Sequence, residues 1–195
     1  MGKIFYIMGK SAVGKDSIYQ RLTADSKLGL DKIVTYTTRP IRSGEKEGVE
    51  YHFVDDETFR NMLEEGKVIE FRTYQTVCGP WTYFTADDGQ TDLTSSSYIM
   101  IGTLVSYEKM SGYYGADKLV PIYIEVDGKE RMRRSLQREN TQDFPNIAEV
   151  QRRFKADEED FSEEKLAKAG ITYSFVNDDI DRCTGEIISF IKQKK

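Results

Sequence analysis

Ile4-Phe5-Tyr6-Ile7-Met8-Gly9-Lys10-Ser11-Ala12-Val13-Gly14-Lys15-Asp16-Ser17 is the stretch whose reading decides the fold of this chain. The apolar run Ile4–Met8 predicts a buried strand, Gly9 and Gly14 bracket a tight loop, and Lys15–Ala24 carries a helical pattern. Strand, glycine loop and helix in this order make a phosphate cradle. The glycines let successive backbone N–H groups point inward, the helix N-terminus adds its positive end, and Lys15 can reach the β- and γ-phosphates of a nucleotide. The expected phosphate-binding residues are therefore Gly9, Lys10, Ser11, Ala12, Val13, Gly14, Lys15, Asp16 and Ser17. One position departs from the common pattern: Asp16 stands where a Ser or Thr hydroxyl would hold Mg²⁺. A carboxylate at that place can meet the metal directly or through water, so Asp16 is the candidate Mg²⁺ ligand.

Composition bounds the rest. With 195 residues and 38% hydrophobic side chains, the chain fits one domain that buries roughly 70% of its unfolded surface. Cys78 and Cys183 give neither a disulfide framework nor a paired-cysteine metal spacing, which suits a reducing cytoplasm. No apolar run approaches the ~18 residues of a bilayer span, and Ile4–Met8 is too short for a signal-peptide core. The Met1-Gly2 start has Tyr6 where a myristoylation signal needs Ser or Thr. A net charge of −5 argues against general nucleic-acid binding, so any anion site must be a local concentration of Arg and Lys. Neither nucleic acid nor membrane is expected as a partner; a monomer or homodimer is.

The remaining pattern alternates strand and helix. Strands are predicted over Lys32–Thr37, Tyr98–Gly102, Leu119–Val126 and Tyr173–Asn177, with helices over Thr103–Ser111, Lys129–Glu139 and Asp179–Gln193. Such alternation implies an α/β protein in three layers, a parallel sheet covered by helices on both faces. Residues 38–97 interrupt it with short strands at Tyr51–Val54, Val68–Tyr74 and Trp81–Thr85 around a helix at Asp55–Glu65, and Asp87-Asp88-Gly89-Gln90 reads as a turn. A second interruption covers about 129–165, where Arg131, Arg133, Arg134 and Arg138 share one helix before Pro145 and a second charged helix. The expected organisation is one domain over 1–195: a core of about 1–37, 98–128 and 166–195, an inserted lobe of about 38–97 and a lid of about 129–165.

Thr37-Thr38-Arg39-Pro40-Ile41-Arg42-Ser43-Gly44-Glu45, followed by Gly48-Val49-Glu50-Tyr51-His52-Phe53-Val54, resembles the nucleotide-monophosphate segment of guanylate kinases. Val68-Ile69-Glu70 and Val176-Asn177-Asp178-Asp179-Ile180-Asp181 resemble two further elements of that family, in order and register over nearly the whole chain. The resemblance implies the P-loop NTPase fold with a lobe that binds a nucleoside monophosphate and a helical lid. It also implies a kinase of purine nucleotide metabolism that moves the γ-phosphate of ATP to GMP or dGMP with Mg²⁺, giving ADP and GDP.

Residue roles follow from the chemistry. Arg39 and Arg42, three apart in a Pro-stiffened turn, are assigned to the acceptor's phosphate, which guanidinium forks grip bidentately. Tyr51 can donate its hydroxyl to the same phosphate. Glu70 is the base-reading candidate, since guanine offers N1–H beside its exocyclic amine and adenine does not. Thr35 resembles the position that supports guanine from another edge. On the donor side Arg134 and Arg138 resemble lid arginines and Arg153 an arginine that reaches across the phosphates, so Lys15, Arg138 and Arg153 are the catalytic candidates. Asn177 and Asp178 are expected near the lid or the ATP base. Arg131 and Arg133 read as charges on an exposed helix face, and the sole histidine, His52, as a sheet residue.

Two further stretches depart from the family pattern. The Tyr-Gly-Ser/Thr element after Glu70 is replaced by Val77-Cys78-Gly79-Pro80-Trp81-Thr82-Tyr83-Phe84-Thr85, in which Tyr83 and Thr85 are the candidates for the lost role. The Leu-Asp-x-Asp ending of the middle strand reads Ile99-Met100-Ile101-Gly102-Thr103, so two carboxylates are absent. These departures leave two alternatives open. Gly14-Lys15-Asp16-Ser17 also resembles ribose 1,5-bisphosphokinase, and a catalytically silent interaction module of guanylate-kinase type would share the overall pattern.

Overall fold

The first strand, β1 (Ile4–Met8), has every side chain buried and is hydrogen-bonded to a parallel neighbour on each side. The computed structural model describes residues 1–76, 79–141 and 146–195. Val77 and Cys78 of the altered segment, and Pro145 between the two charged helices, lie outside the described residues. After β1 come α1 (Lys15–Ala24), a 3₁₀ turn (Ser26–Leu28), β2 (Leu30–Lys32), β3 (Tyr36–Thr37), β4 (His52–Phe53) and α2 (Asp56–Glu64). The chain continues through β5 (Val68–Thr76), β6 (Gly79–Ala86), β7 (Ser97–Ile101), α3 (Leu104–Tyr114) and β8 (Leu119–Glu125). It closes with α4 (Gly128–Glu139), α5 (Ile147–Asp160), α6 (Glu163–Lys168), β9 (Phe175–Val176) and α7 (Ile180–Lys194).

One sheet is parallel, in the order β2-β7-β1-β8-β9. On one of its faces Ile4, Tyr6 and Met8 pack with Tyr107, Met110 and Phe161; on the other Phe5 and Ile7 pack with Ile18, Leu22, Ile187 and Ile191. Burial on both faces is why β1 is apolar throughout rather than alternating. Among the described residues no helix is long and apolar enough to cross a membrane.

The second sheet runs β4-β3-β6-β5 and is built on the long β5/β6 hairpin. Here the single strand expected over Lys32–Thr37 divides in two. Ile33 still donates its backbone N–H to Ile99, but at Val34 both backbone groups are taken by the side-chain amide of Gln90, at 2.7 and 3.1 Å. That amide replaces the ladder, and the chain leaves one sheet for the other. Thr35 therefore lies between strands rather than in one, and its carbonyl accepts the His52 N–H.

Helix starts are capped from the sequence. Asp55, Thr103, Asp127, Asn146, Ser162 and Asp179 each accept a backbone N–H of the helix they precede. Among the described helices α1 alone begins without a side-chain cap, at Gly14. Its first N–H groups receive no side-chain acceptor at the cap.

The altered end of the middle strand has a packing cause. A Cβ on Gly102 would lie 2.0 Å from the Tyr6 hydroxyl, which is fixed by a 2.6 Å hydrogen bond with Ser106. Tyr6 occupies the space that any side chain at 102 would need. Gly102→Ala is expected to cost about 1–3 kcal/mol by overpacking, and less in a Tyr6→Phe background where the hydroxyl is gone. Chemical denaturation of the single and double variants measures this; parent-like stability of Gly102→Ala would contradict the packing.

Candidate active site

The glycine loop folds tightly against the end of the sheet. Gly14 sits at φ 88°, ψ 15°, where side chains are strained, and a Cβ there would come within 2.5 Å of the Asn177 side-chain nitrogen. Asn177 braces the loop from behind: its buried amide donates to the Val13 carbonyl at 2.7 Å, while its backbone N–H is held by Glu125 at 2.8 Å. Its side chain thus serves the loop backbone. Asp178 is instead paired with Arg182 on α7, which holds its carboxyl below the usual range.

A cavity of about 380 Å³ opens over the loop, lined by Ser11, Ala12, Gly14, Lys15, Asp16, Ser17, Arg134 and Arg138. Burial lowers the pKa of Lys15 and nearby Arg138 lowers it further, while Asp16 and Asp157 act the other way. Arg134 is aimed by Glu130 at 2.8 Å and by the Asn177 carbonyl at 3.1 Å. The candidates Lys15, Arg134 and Arg138, from the loop and from α4, therefore meet in one place. Arg153 lies further along α5, 3.3 Å from Glu139.

Asp157 reaches into the loop. One of its oxygens accepts the Ser11 backbone N–H at 2.8 Å, and the other accepts the Ser11 hydroxyl at 3.3 Å. Lys10 pairs with the adjacent Glu158 at 2.5 Å. Both carboxylates converge on Arg131, at 2.9 Å from Asp157 and in contact with Glu158, with the guanidinium 3.7 Å above the Phe154 ring. The reading of Arg131 as an exposed helix charge is corrected: it is only 1% exposed and joins α4 to α5 and the loop. Arg133 does remain on the surface, paired with Glu130.

On the second sheet Arg39 is buried and makes a bidentate pair with Glu45, at 2.6 and 2.7 Å. The Arg39 fork holds the Glu45 carboxyl down to about 2, helped by the Arg42 backbone N–H at 2.8 Å. The guanidinium lies 5.2 Å from the Tyr51 ring and 5.3 Å from Phe53, and Tyr51 meets Tyr83 edge-on at 5.7 Å. Arg42 stands 5.9 Å over Trp81. Burial pushes the Tyr51 hydroxyl up, Tyr83 adds to this, Arg39 and Arg72 oppose it, and Asp16 of the glycine loop adds again. The acceptor candidates and the loop thus act on one another electrostatically.

Glu70 is buried at the base of this lobe, where one oxygen accepts the Thr85 hydroxyl at 2.8 Å. Arg72 stands beside it, 3.2 Å from the other oxygen, and donates to the Thr103 hydroxyl at 3.0 Å. Sequence reasoning passed over Arg72 and Asp157. Arg72 was within reach, since residues two apart on a strand share a face; nothing local in the sequence marks Asp157.

Asp16 is exposed at the first turn of α1, and among the described residues no three metal-binding side chains cluster. That donor set fits Mg²⁺, which takes one or two carboxylates and completes its shell with phosphate oxygens and water.

Comparison with known proteins agrees with this geometry. The family model described as guanylate kinase matches residues 1–79. A guanylate kinase of Porphyromonas gingivalis is 28% identical over 196 residues, covering 99% of this chain and 98% of its own. One from Neisseria meningitidis is 38% identical over 100 residues, covering 51% of this chain and 46% of its own. The crystal structure of guanylate kinase from Anaplasma phagocytophilum superposes with a TM-score of 0.66 at 22% identity, covering 99% of this chain and 86% of that one, and shares the P-loop NTPase fold. With the glycine loop, the parallel sheet and relatives matched over nearly their whole length in agreement, the chain is similar to guanylate kinases from end to end.

Proposed function

We propose that the protein is an ATP-dependent nucleoside monophosphate kinase that transfers the γ-phosphoryl group of ATP to GMP or dGMP. The observation that carries the reading is the uncapped start of α1, with Lys15, Arg134 and Arg138 gathered over it in one cavity. The names of the relatives support the same activity.

Phosphoryl transfer asks little covalent chemistry of a protein; it asks for positioning and for charge stabilisation as the phosphoryl group moves. Backbone N–H groups of the loop and α1 receive the donor phosphates, and Lys15 neutralises charge on the transferred group. Its lowered pKa comes from burial, and the anionic substrate restores the charged form. Arg138 and Arg153 complete the cationic surround from the lid helices. Arg39, Arg42 and Tyr51 hold the acceptor's phosphate, with Glu45 fixing the Arg39 fork, while Glu70 and Thr85 receive the base and Tyr83 stands beside the phosphate grip. Thr35 supports the base edge from the segment between the sheets. Mg²⁺, when bound, would be held by Asp16 and would neutralise phosphate charge.

Incubating the protein with MgATP and GMP, dGMP, AMP or ribose 1,5-bisphosphate, and measuring ADP release, tests the proposal. GMP and dGMP are expected to be the preferred acceptors. Preference for the sugar phosphate would move the reading to a sugar-phosphate kinase, and failure to bind ATP would leave an interaction module. Lys15→Ala should reduce turnover by roughly 10²-fold, about 2.7 kcal/mol of transition-state stabilisation. Near-parental turnover in the folded variant would remove Lys15 from the mechanism.

Asp157 competes for the same loop, because its carboxylate already receives the Ser11 N–H. Asp157→Asn keeps the shape and removes the charge, so ATP should bind several-fold more tightly by calorimetry, with Asp157→Ala showing the same direction. Weaker binding in both variants would mean that the carboxylate organises the loop for ATP rather than opposing it.

A further inference from the structure

We infer that Arg72 is a specificity residue, and that together with Glu70 it reads the N1–H/C6=O edge of a 6-oxopurine, so that inosine monophosphate is an acceptor alongside GMP. The inference rests on the acceptor being a nucleoside monophosphate, as proposed above.

The argument starts from two buried atoms. Glu70 Oε2 and Arg72 Nε lie 3.2 Å apart as an ion pair, yet they are misaligned and neither has a hydrogen-bond partner. A buried polar group left in that state costs free energy and calls for an explanation. The other atoms of the pair are engaged: Glu70 Oε1 accepts from the Thr85 hydroxyl at 2.8 Å and from Arg72 Nη2 at 3.3 Å, and Arg72 Nη1 donates to Thr103 at 3.0 Å. What remains is one acceptor and one donor side by side. Cross-strand pairing places them beside the acceptor candidates: Glu70 lies opposite Thr85 and Arg72 opposite Tyr83, whose ring meets that of Tyr51 at 5.7 Å.

A free acceptor beside a free donor complements a ligand edge that carries a donor beside an acceptor. In a 6-oxopurine these are N1–H, offered to Glu70 Oε2, and the 6-oxygen, offered to Arg72 Nε. Adenine presents its lone pair and its N–H in the reverse order. Held in the same orientation, it would set N1 against the carboxylate and its amino group against the guanidinium, two repulsive contacts. Because Glu70 Oε1 already has two donors, no second carboxylate oxygen is left for the 2-amino group. Guanine and hypoxanthine then look alike to this pair. The absence of the two carboxylates from the Ile99–Thr103 strand ending is consistent with this reading, because the guanidinium from β5 takes up the Thr103 hydroxyl there.

Steady-state kinetics with MgATP and GMP, IMP, AMP or 2-aminopurine riboside monophosphate tests the inference. The last of these keeps the 2-amino group but lacks both N1–H and the 6-oxygen. IMP is expected within about tenfold of GMP in kcat/KM, with AMP and the 2-aminopurine nucleotide about 100-fold or more below both. Arg72→Met should lower kcat/KM for GMP and IMP by about 10–100-fold, mainly through KM, leave AMP unchanged and so erase the preference, while Arg72→Lys restores part of it. IMP falling with AMP in the parent, with GMP still phosphorylated, would overturn the inference and leave the kinase reading intact. An Arg72→Met variant that loses all acceptors alike and melts lower would assign Arg72 to bracing β5 against α3 and also overturn it. Refusal of every nucleotide would overturn both readings.

Discussion

Everything around the glycine loop depends on leaving the start of α1 without a side-chain cap. The other described helices satisfy their first N–H groups with an Asp, Asn, Ser or Thr of their own sequence, and α1 begins without such a cap, which suits an anion. Such a loop must be held in place by something other than its own helix. Asn177, 164 residues further along the chain, does this through the Val13 carbonyl. Gly14 has to be glycine both for its backbone conformation and because the Asn177 amide lies where a Cβ would go. The carboxylate of Asp157 at Ser11 shows the same electrostatics from the protein's side, an anion held by a backbone N–H of the loop.

The second sheet and its flanking turn are organised by arginines that already have carboxylate partners. Glu45 fixes the fork of Arg39, and Glu70 lies alongside Arg72, so each guanidinium is oriented before any ligand arrives. Partly buried pairs of this kind contribute direction more than net stability, because desolvation offsets much of their attraction. The departures from the family pattern fit together. Tyr6 removes room for a side chain at Gly102, and the charge at that end of the sheet comes from Arg72 across the lobe.

How much of this could be read in the sequence depended on whether the cause was local. The β1, loop and α1 unit was legible because its strand run, glycines and helix pattern are contiguous, and the N-caps Asp55, Thr103 and Asp179 fell at the edges of the expected helices. The break at Val34 was not legible, since it is made by an amide 56 residues away. Arg131 was misread for the same kind of reason. Its four-arginine helix reads as a solvated face, whereas its partners lie 26 and 27 residues further on in α5. The candidate site residues came chiefly through the resemblance, which supplied Arg39, Arg42 and Glu70 but had no place for Arg72.

The central claim, that the uncapped start of α1 with its glycine loop is the nucleotide phosphate site, is tested most directly by amide NMR. Titration of the ¹⁵N-labelled protein with a Mg²⁺ complex of a non-hydrolysable ATP analogue should move the backbone amides of Ser11, Gly14, Lys15, Asp16 and Ser17 first and farthest, as each N–H turns to phosphate. Saturating binding that leaves those amides in place and moves others instead would contradict the account.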